Sequence, residues 1–377
     1  MTREPTFSIG IEEEYMLVDA CTRDLVKTAP LGMLEACQRE LKDQVTPEFL
    51  QCQIEVGTRV CDSVAEARGE LQRLRSTVAA AAKDHGAALV AASTHPFAHP
   101  GTQQRTEKDR YAAIEHDLQE GVRRLAICGM HVHVGIEDDD LRVDLMSQLT
   151  YVLPHLLALS TSSPFWAGND TGLKSYRIAV WDEMPRTGIP PAFESYSEYQ
   201  RLVGTMVDAG LIEDGTKLWW DVRPSARFPT LEMRICDVCT HLDDAIAIAA
   251  LYRCWLRMLY RLRRNNQSWR RYPQVLVSEN RWRAQRYGID QGLVDFGRGE
   301  IVAYGELLDE VIELVHPDAD YFGCAAEVAH TREILKRGTS AHWQAAAFEQ
   351  AIENNQSPQE AAEAVVDMLV SQTIAGV

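Results

Sequence analysis

Several features that would assign a 377-residue chain at once are missing from this one. No GxxxxGK[ST] occurs, and no GxGxxG follows a strand-like segment, so neither a P-loop nor a dinucleotide fingerprint is present. No uncharged stretch approaches twenty residues; "DDAIAIAALYRCWL" is the nearest, and it is short and broken by Arg253. No apolar segment follows Met1 either, so neither a signal peptide nor a membrane span is expected. Basic charge is scarce. A formal net charge of −17 argues against nucleic-acid or anionic-membrane partners, since neither tolerates that field without a local basic patch. The most basic stretch, residues 253–272, reads as the end of an amphipathic helix, where cations meet the negative end of the helix dipole.

Cysteine is present without a framework. Nine residues, an odd number and scattered, fit a reducing compartment, and the chain is expected to be cytoplasmic. The single CxxC, Cys236 to Cys239, lacks the second ligand pair a zinc knuckle needs, so buried free thiols are expected. Low-complexity tracts and internal repeats are also absent, and 377 residues are enough to bury a sizeable core.

What is there begins with "FSIGIEEEYMLVD", Phe7 to Asp19. Residues two apart in a strand share a face, so Ile9, Ile11, Tyr15 and Leu17 line one side. Gly10, Glu12 and Glu14 line the other. Two carboxylates about 7 Å apart repel by roughly 2 kcal/mol at an effective dielectric of 20, and a bound cation would reverse that sign. A solvated edge strand is the alternative. Glu13 shares parity with the apolar side, and the sequence offers no role for it.

Further along, "QCQIEVGT" alternates as a strand with Glu55 on its polar parity. Ser63-x-x-Glu66 is a capping-box pattern, followed at helical spacing by Val64, Ala67, Leu71, Leu74, Val78 and Ala81 up to Gly86. "AALVAAS" reads as a buried strand. A helix is expected from about Tyr111 to Ile127, then the strand "GMHVHVGI", then helix from Leu141 to Leu159. "SSPFWAGNDTG" is a turn-rich loop, and a helix from about Ser197 to Ala209 follows. In "LWWDVRPSARFPTLEMRICDV" the last third alternates as a strand. Beyond Leu242 the pattern is mostly helical, punctuated by Pro273, Pro317 and Pro358. Strands and helices mix without a βαβ rhythm. That predicts an α+β domain whose sheet carries helices on one face and leaves the other free for a site.

The free face is where chemistry collects. Glu55, the pair His131 and His133, and the pair Glu232 and Arg234 each fall on one parity of a strand-like segment. Glutamates dominate, which favours a hard cation such as Mg²⁺ or Mn²⁺ over zinc. Mg²⁺ keeps few protein ligands and leaves room for phosphate oxygens, which points to a nucleotide. Without a P-loop, metals and arginines on a sheet would have to hold it. Arg177, Arg223, Arg227 and Arg234 are the candidates.

The ordered set "GIEEEYMLVD", "ASTHPFA", "GMHVHVGI", "SSPFWAGNDTGLKSYR", "PRTGIPPAF" and "TLEMRICDV" resembles the type 2 glutamate–cysteine ligases, the YbdK-like carboxylate–amine ligases. The resemblance runs from about Phe7 to the helix after His241. It implies a glutamine synthetase-like catalytic domain over residues 1–377: a curved, mostly antiparallel sheet forming a bowl, with helices on its outer face. It further implies ATP-dependent ligation of the γ-carboxylate of L-glutamate to the amine of L-cysteine, a weak glutamate–cysteine ligase working through an acyl phosphate. By the same resemblance Glu12, Glu14, Glu48, Glu55, His131 and Glu232 match metal-ligand positions. Glu48 requires a bulge or turn to share a face with Glu55, and the role of His133 stays open. Arg234, Glu232 and Arg177 are the expected catalytic residues, with Arg223, Arg227 and Arg234 on the nucleotide. The "SSPFWAGNDTG" loop, with Trp166, is an expected lid or substrate wall. A homodimer is compatible with the family. Two other readings remain: a metal-dependent hydrolase built on His131 and His133, and a non-catalytic ligase-fold binding protein.

Overall fold

The computed structural model describes residues 3–107 and 124–377. The helix expected from Tyr111 to Ile127 falls, as far as residue 123, outside them; at its described end residues 125–127 are not helical, and Ile127 instead bridges to Thr94. Seven strands form the main sheet: β1 (Ile9–Asp19), β2 (Val45–Pro47), β3 (Gln53–Gly57), β4 (Ala87–Val90), β5 (Met130–Gly135), β6 (Val222–Pro224) and β7 (Thr230–Met233). Their order is β6-β7-β5-β1-β3-β2, with β4 also paired to β1, and every pairing is antiparallel. This is the antiparallel sheet with helices that the sequence predicted.

The alternation of β1 sets its two faces. Ile9, Ile11 and Tyr15 are fully buried, whereas Gly10, Glu12 and Glu14 are half-buried. Removing each large apolar side chain from water stabilises the fold by roughly 1.5–3 kcal/mol, so this face dictates the register. Behind it lies helix α2 (Val64–Asp84), whose Ser63 accepts a hydrogen bond from the Glu66 N–H at 3.1 Å. Glu66 reaches back to the Asp62 N–H (2.9 Å) rather than to Ser63, one residue beyond the simple capping box. A helix over Leu242–Arg264 completes the backing layer; nearly every residue from Leu242 to Tyr260 is buried. Arg253 anchors it to the strand side by donating to the Phe7 carbonyl at 2.7 Å.

Glu13 points into this core, with no exposed surface, and meets Arg75 of α2 in a bidentate ion pair. Arg75 also donates to the carbonyls of Cys239 and Thr240, each at 2.8 Å. One guanidinium thus ties β1, α2 and the segment after β7 together.

Two further expectations are corrected, and one strand was missed. The helix expected over Leu141–Leu159 is two helices, Asp139–Leu149 and Leu153–Ser160. Pro154 lacks the N–H that would bond Thr150 and sterically opposes that carbonyl, so the chain turns between them. Pro317 does not punctuate; it lies inside the helix Tyr304–Phe322. The buried stripe Leu307, Leu308, Val311, Ile312 and Val315 outweighs the one bond it removes. Finally, β6 was not legible as a strand; it pairs with β7 as a hairpin across the turn that carries Arg227.

Candidate active site

The free sheet face gathers side chains from five strands. Glu12 of β1 lies directly opposite His131 of β5, and Glu14 opposite Glu55 of β3. His133 of β5 faces Glu232 of β7, which faces Arg223 of β6. Directly opposed residues in an antiparallel pair have Cα atoms about 4.5–5.5 Å apart, so backbone pairing alone delivers the cluster.

Two triads of ligand atoms result, Glu12–Glu55–His131 and Glu12–His133–Glu232, each with its atoms within 4.8 Å of one another. Glu12 belongs to both. His131 Nδ1 is 3.3 Å from Glu12 Oε2, and His133 Nε2 is 3.5 Å from Glu12 Oε1. His133 Nδ1 meets the Thr230 hydroxyl at 2.9 Å, while its buried Nε2 has no hydrogen-bond partner. His133, whose role the sequence left open, is therefore a full member of the cluster.

Glu14 accepts a hydrogen bond from the Gly129 N–H at 2.7 Å and approaches His131 Nε2 at 4.0 Å. Glu48 sits in the turn after β2, its Oε2 accepting from the Phe49 N–H at 2.6 Å. The turn the parity argument required is there. Neither Glu14 nor Glu48 joins a triad among the described residues. They flank Glu55, which also accepts from the Thr46 hydroxyl at 3.2 Å.

Electrostatics divide the carboxylates. Burial and the neighbouring Glu48 push Glu14 up to about 7, with Arg177, the Gly129 N–H and Arg234 opposing. Burial, Glu48, Glu12 and Glu14 drive Glu55 well above the ordinary range. Burial also disfavours charge on Glu12, but its contacts with His131 and His133 outweigh that and hold it well below the ordinary range. Glu232 is likewise held low, with Arg234 and Arg223 overcoming its burial. Burial and Arg234 lower His131 to about 4, a neutral ring able to act as a ligand. Glu14 and Glu55, crowded until they resist ionisation, together with the low-held Glu12 and Glu232 and the neutral His131 ring, form a donor set suited to a hard divalent cation.

The cations stand on the other side. Glu232 accepts from Arg223 Nε (2.9 Å) and Nη2 (3.2 Å), and also from Arg234 Nη1. Arg177 is the second residue of the short helix Tyr176–Trp181 and is buried; it donates to the carbonyls of Ile235 (3.2 Å) and Arg234 (3.0 Å). Arg227 is exposed in the β6–β7 turn and lines the same space.

Sequence reasoning missed several supporting residues. Gly129 is one: a Cβ there would lie 2.4 Å from Arg177 Nη2. Asp237, buried, accepts from the Ser163 and Ser175 hydroxyls (each 2.8 Å), and Ser163 Oγ accepts the Arg177 N–H at 3.1 Å. Trp181 lies 5.9 Å from both the Arg177 and Arg234 guanidinium carbons and donates to the Trp219 carbonyl at 3.2 Å. Adjacent Trp219 and Trp220 carried a signal, since alternation sends one toward the site and one into the core. The expected lid is corrected. Trp166 packs on Tyr176 at 5.3 Å, and the tryptophans lining the cavities are Trp181 and Trp219.

The glutamate-cysteine ligase family 2 model matches residues 8–368. The chain belongs to glutamate–cysteine ligase family 2. The glutamate–cysteine ligase 2 relative from Rhodospirillum rubrum is 60% identical over 377 residues, covering 99% of this chain and 97% of that one. The counterpart from Paracoccus denitrificans is 50% identical over 372 residues, with 99% of each chain covered. Among solved structures, the glutamate–cysteine ligase of Francisella tularensis in complex with AMP superposes with a TM-score of 0.64 at 13% identity, over 98% of this chain and 89% of that one. The bifunctional glutathione synthetase of Pasteurella multocida gives 0.69 at 17% identity, over 97% of this chain; this chain spans about half (52%) of its length. The ligase family thus shares both sequence and fold with this chain, a carboxylate–amine ligase that forms a C–N bond. No helix of the described residues is long and apolar enough to cross a membrane.

Proposed function

We propose that this glutamate–cysteine ligase family 2 member is a single ligase domain over residues 1–377. Its reaction is ATP-dependent and joins the γ-carboxylate of L-glutamate to the amine of L-cysteine through an acyl phosphate. The observation that carries the reading is Glu12, one carboxylate common to two ligand triads, with Arg223 and Arg234 beside them. Glu12, Glu55, His131, His133 and Glu232 would hold Mg²⁺ or Mn²⁺, with Glu14 and Glu48 adding negative charge alongside. Bound Mg·ATP would supply the phosphoryl group and the positive charge that lets two anions approach.

The chain's own residues do the rest. Arg223 and Arg227 would take phosphate oxygens at the β6–β7 end. Arg234, anchored on Glu232, would neutralise charge on the γ-carboxylate as it is phosphorylated, then on the oxyanion formed by the attacking amine. Its planar fork suits bidentate contact with either anion. Arg177 would hold a substrate carboxylate and fix the reacting group near Arg234. Eight of nine cysteines are buried free thiols, in keeping with a reducing cytoplasm.

The test is ADP release from purified protein with Mg·ATP, glutamate and cysteine, each omitted in turn. Release that requires all of them supports the reading. Release that ignores both amino acids, or none under any combination, overturns it.

A further inference from the structure

Two cavities open on the free face and share a floor that includes Glu14, Glu55, His131 and Arg234. Their private walls differ. Glu12, His133, Glu232 and Arg223 border only the second cavity, so the Glu12–His133–Glu232 triad and the Arg223 guanidinium belong to that side, while Glu55 and His131 of the other triad border both. The first cavity, of about 370 Å³, is bordered on its own side by Phe49, Leu125, Ile127, Trp181 and Met184, with the polar Gln53 and the cation Arg177; Arg227 and Arg234 border both cavities. Trp219 continues the apolar wall.

Of the buried arginines, Arg75, Arg142 and Arg281 are ion-paired; Arg177 and Arg253 have no carboxylate within 4.0 Å among the described residues, and of these two only Arg177 borders the cavity. Two of its N–H groups serve backbone carbonyls, which leaves donors and a full charge facing the cavity. Glu14, Asp221 and Asp237 meet this charge only at longer range, so a ligand carboxylate would supply the contacting partner that a buried cation otherwise lacks. The same cavity therefore offers a carboxylate site, an apolar wall, and carboxylates (Glu14, Glu48) able to receive an amine.

We infer that the first cavity binds the amine substrate, and that beside cysteine it takes α-amino acids with a sizeable apolar side chain, leucine- or phenylalanine-like, in preference to small polar ones. The inference deepens the ligase reading and rests on it for the reaction. Cysteine, small and soft, fits the wall but fills little of it. A hydrophobic pocket discriminates about 10–200-fold per methylene, so the preference is measurable.

The experiment uses the wild-type chain with Mg·ATP. Calorimetric titration compares leucine, phenylalanine, cysteine, serine and 3-methylbutylamine, which is leucine without its carboxylate. ADP release with glutamate is measured over the same panel. Leucine or phenylalanine is expected to bind at least ten-fold tighter than serine, and 3-methylbutylamine at least ten-fold weaker than leucine. In Met184→Gln the leucine advantage over serine should shrink several-fold. Serine binding as well as leucine overturns the apolar wall as the selector, and 3-methylbutylamine matching leucine overturns the Arg177 assignment. Selective binding with no ADP release from any amine would sink the ligase reading and leave the pocket assignment standing.

Discussion

Arg75 and Glu13 are joined by two hydrogen bonds, 2.6 and 2.8 Å, with neither side chain exposed to solvent. Tyr15 adds its hydroxyl to the same carboxylate. The pair lies directly beneath the acidic face of β1, so the strand is clamped from behind while its other face is crowded with charge. Removing one partner strands a buried charge. Arg75→Met should destabilise the protein by about 3–5 kcal/mol, and the double variant Glu13→Leu/Arg75→Met should recover much of that loss. Denaturant midpoints for the three proteins test this; a single variant within about 1 kcal/mol of wild type would refute the clamp.

Glu12 is shared by two triads, whereas Glu55 belongs to one. Glu12→Gln should therefore abolish both Mn²⁺ positions, and Glu55→Gln only one. Counting bound Mn²⁺ by electron paramagnetic resonance in the presence of nucleotide separates the two. Equal losses would mean that Glu12 is not the common ligand. Without metal, Glu12→Gln should leave the fold intact.

Arg234→Lys keeps the charge and loses the planar fork, of which Nη1 is held by Glu232. It should cost about 2–4 kcal/mol in kcat/KM, by analogy with removal of one oxyanion donor, with ATP affinity nearly unchanged. Glu232→Gln should weaken both nucleotide binding and turnover, since it loosens Arg223 and Arg234 together. Ligation at the wild-type rate in Arg234→Lys would make Arg234 a structural ion-pair partner only.

Gly129 leaves space that Arg177 occupies. Gly129→Ala would place a methyl 2.4 Å from Arg177 Nη2 and force the guanidinium aside. A shift of about 1 Å in a positioning group costs on the order of 100-fold in rate. Turnover should fall by that order while the Tm stays close to wild type. Unchanged kinetics would show that Arg177 does not touch substrate.

His95 supplies a pH dependence away from the site. Its Nδ1 accepts the N–H groups of Phe97 (3.3 Å) and Ala98 (2.9 Å), and its Nε2 meets the Arg23 carbonyl at 2.9 Å. The ring is held neutral, and burial lowers it to about 4 from 6.5. The unfolded chain binds this proton first, so the His95 contribution is complete above about pH 6.5 and is lost as pH falls toward 4. The maximum loss is about 3 kcal/mol. His95→Asn, whose Oδ1 can replace Nδ1 as acceptor, should show a shallower fall in stability between pH 6.5 and 4. Parallel stability curves would count against it.

How much of this could be read in advance depended on distance along the chain. The two faces of β1 followed from alternation within eleven residues, and the Ser63 cap from a four-residue pattern. His131 and Glu232 carried the same local signal, because side-chain parity is fixed by the strand itself. Glu13 was opaque since its partner lies 62 residues away on a helix. Arg177 was recognised as a charge, but not its dependence on Gly129 and Asp237, which approach it only through tertiary packing. Pro154 and Pro317 show the limit of punctuation. The first broke a helix, and the second was overridden by the apolar stripe around it.

The three consecutive glutamates also guard the folding of the strand that bears them. A slip of β1 by one residue would exchange its faces. Glu12 and Glu14 would then both turn toward the helices, where Arg75 can neutralise only one. Ile9, Ile11 and Tyr15 would emerge among carboxylates. The correct alignment and its nearest competitor differ both in three buried apolar side chains and in two carboxylates driven into an apolar layer. The same charges that prepare the cavity for a cation thus act earlier, as a proofreading signal that rejects the misaligned sheet.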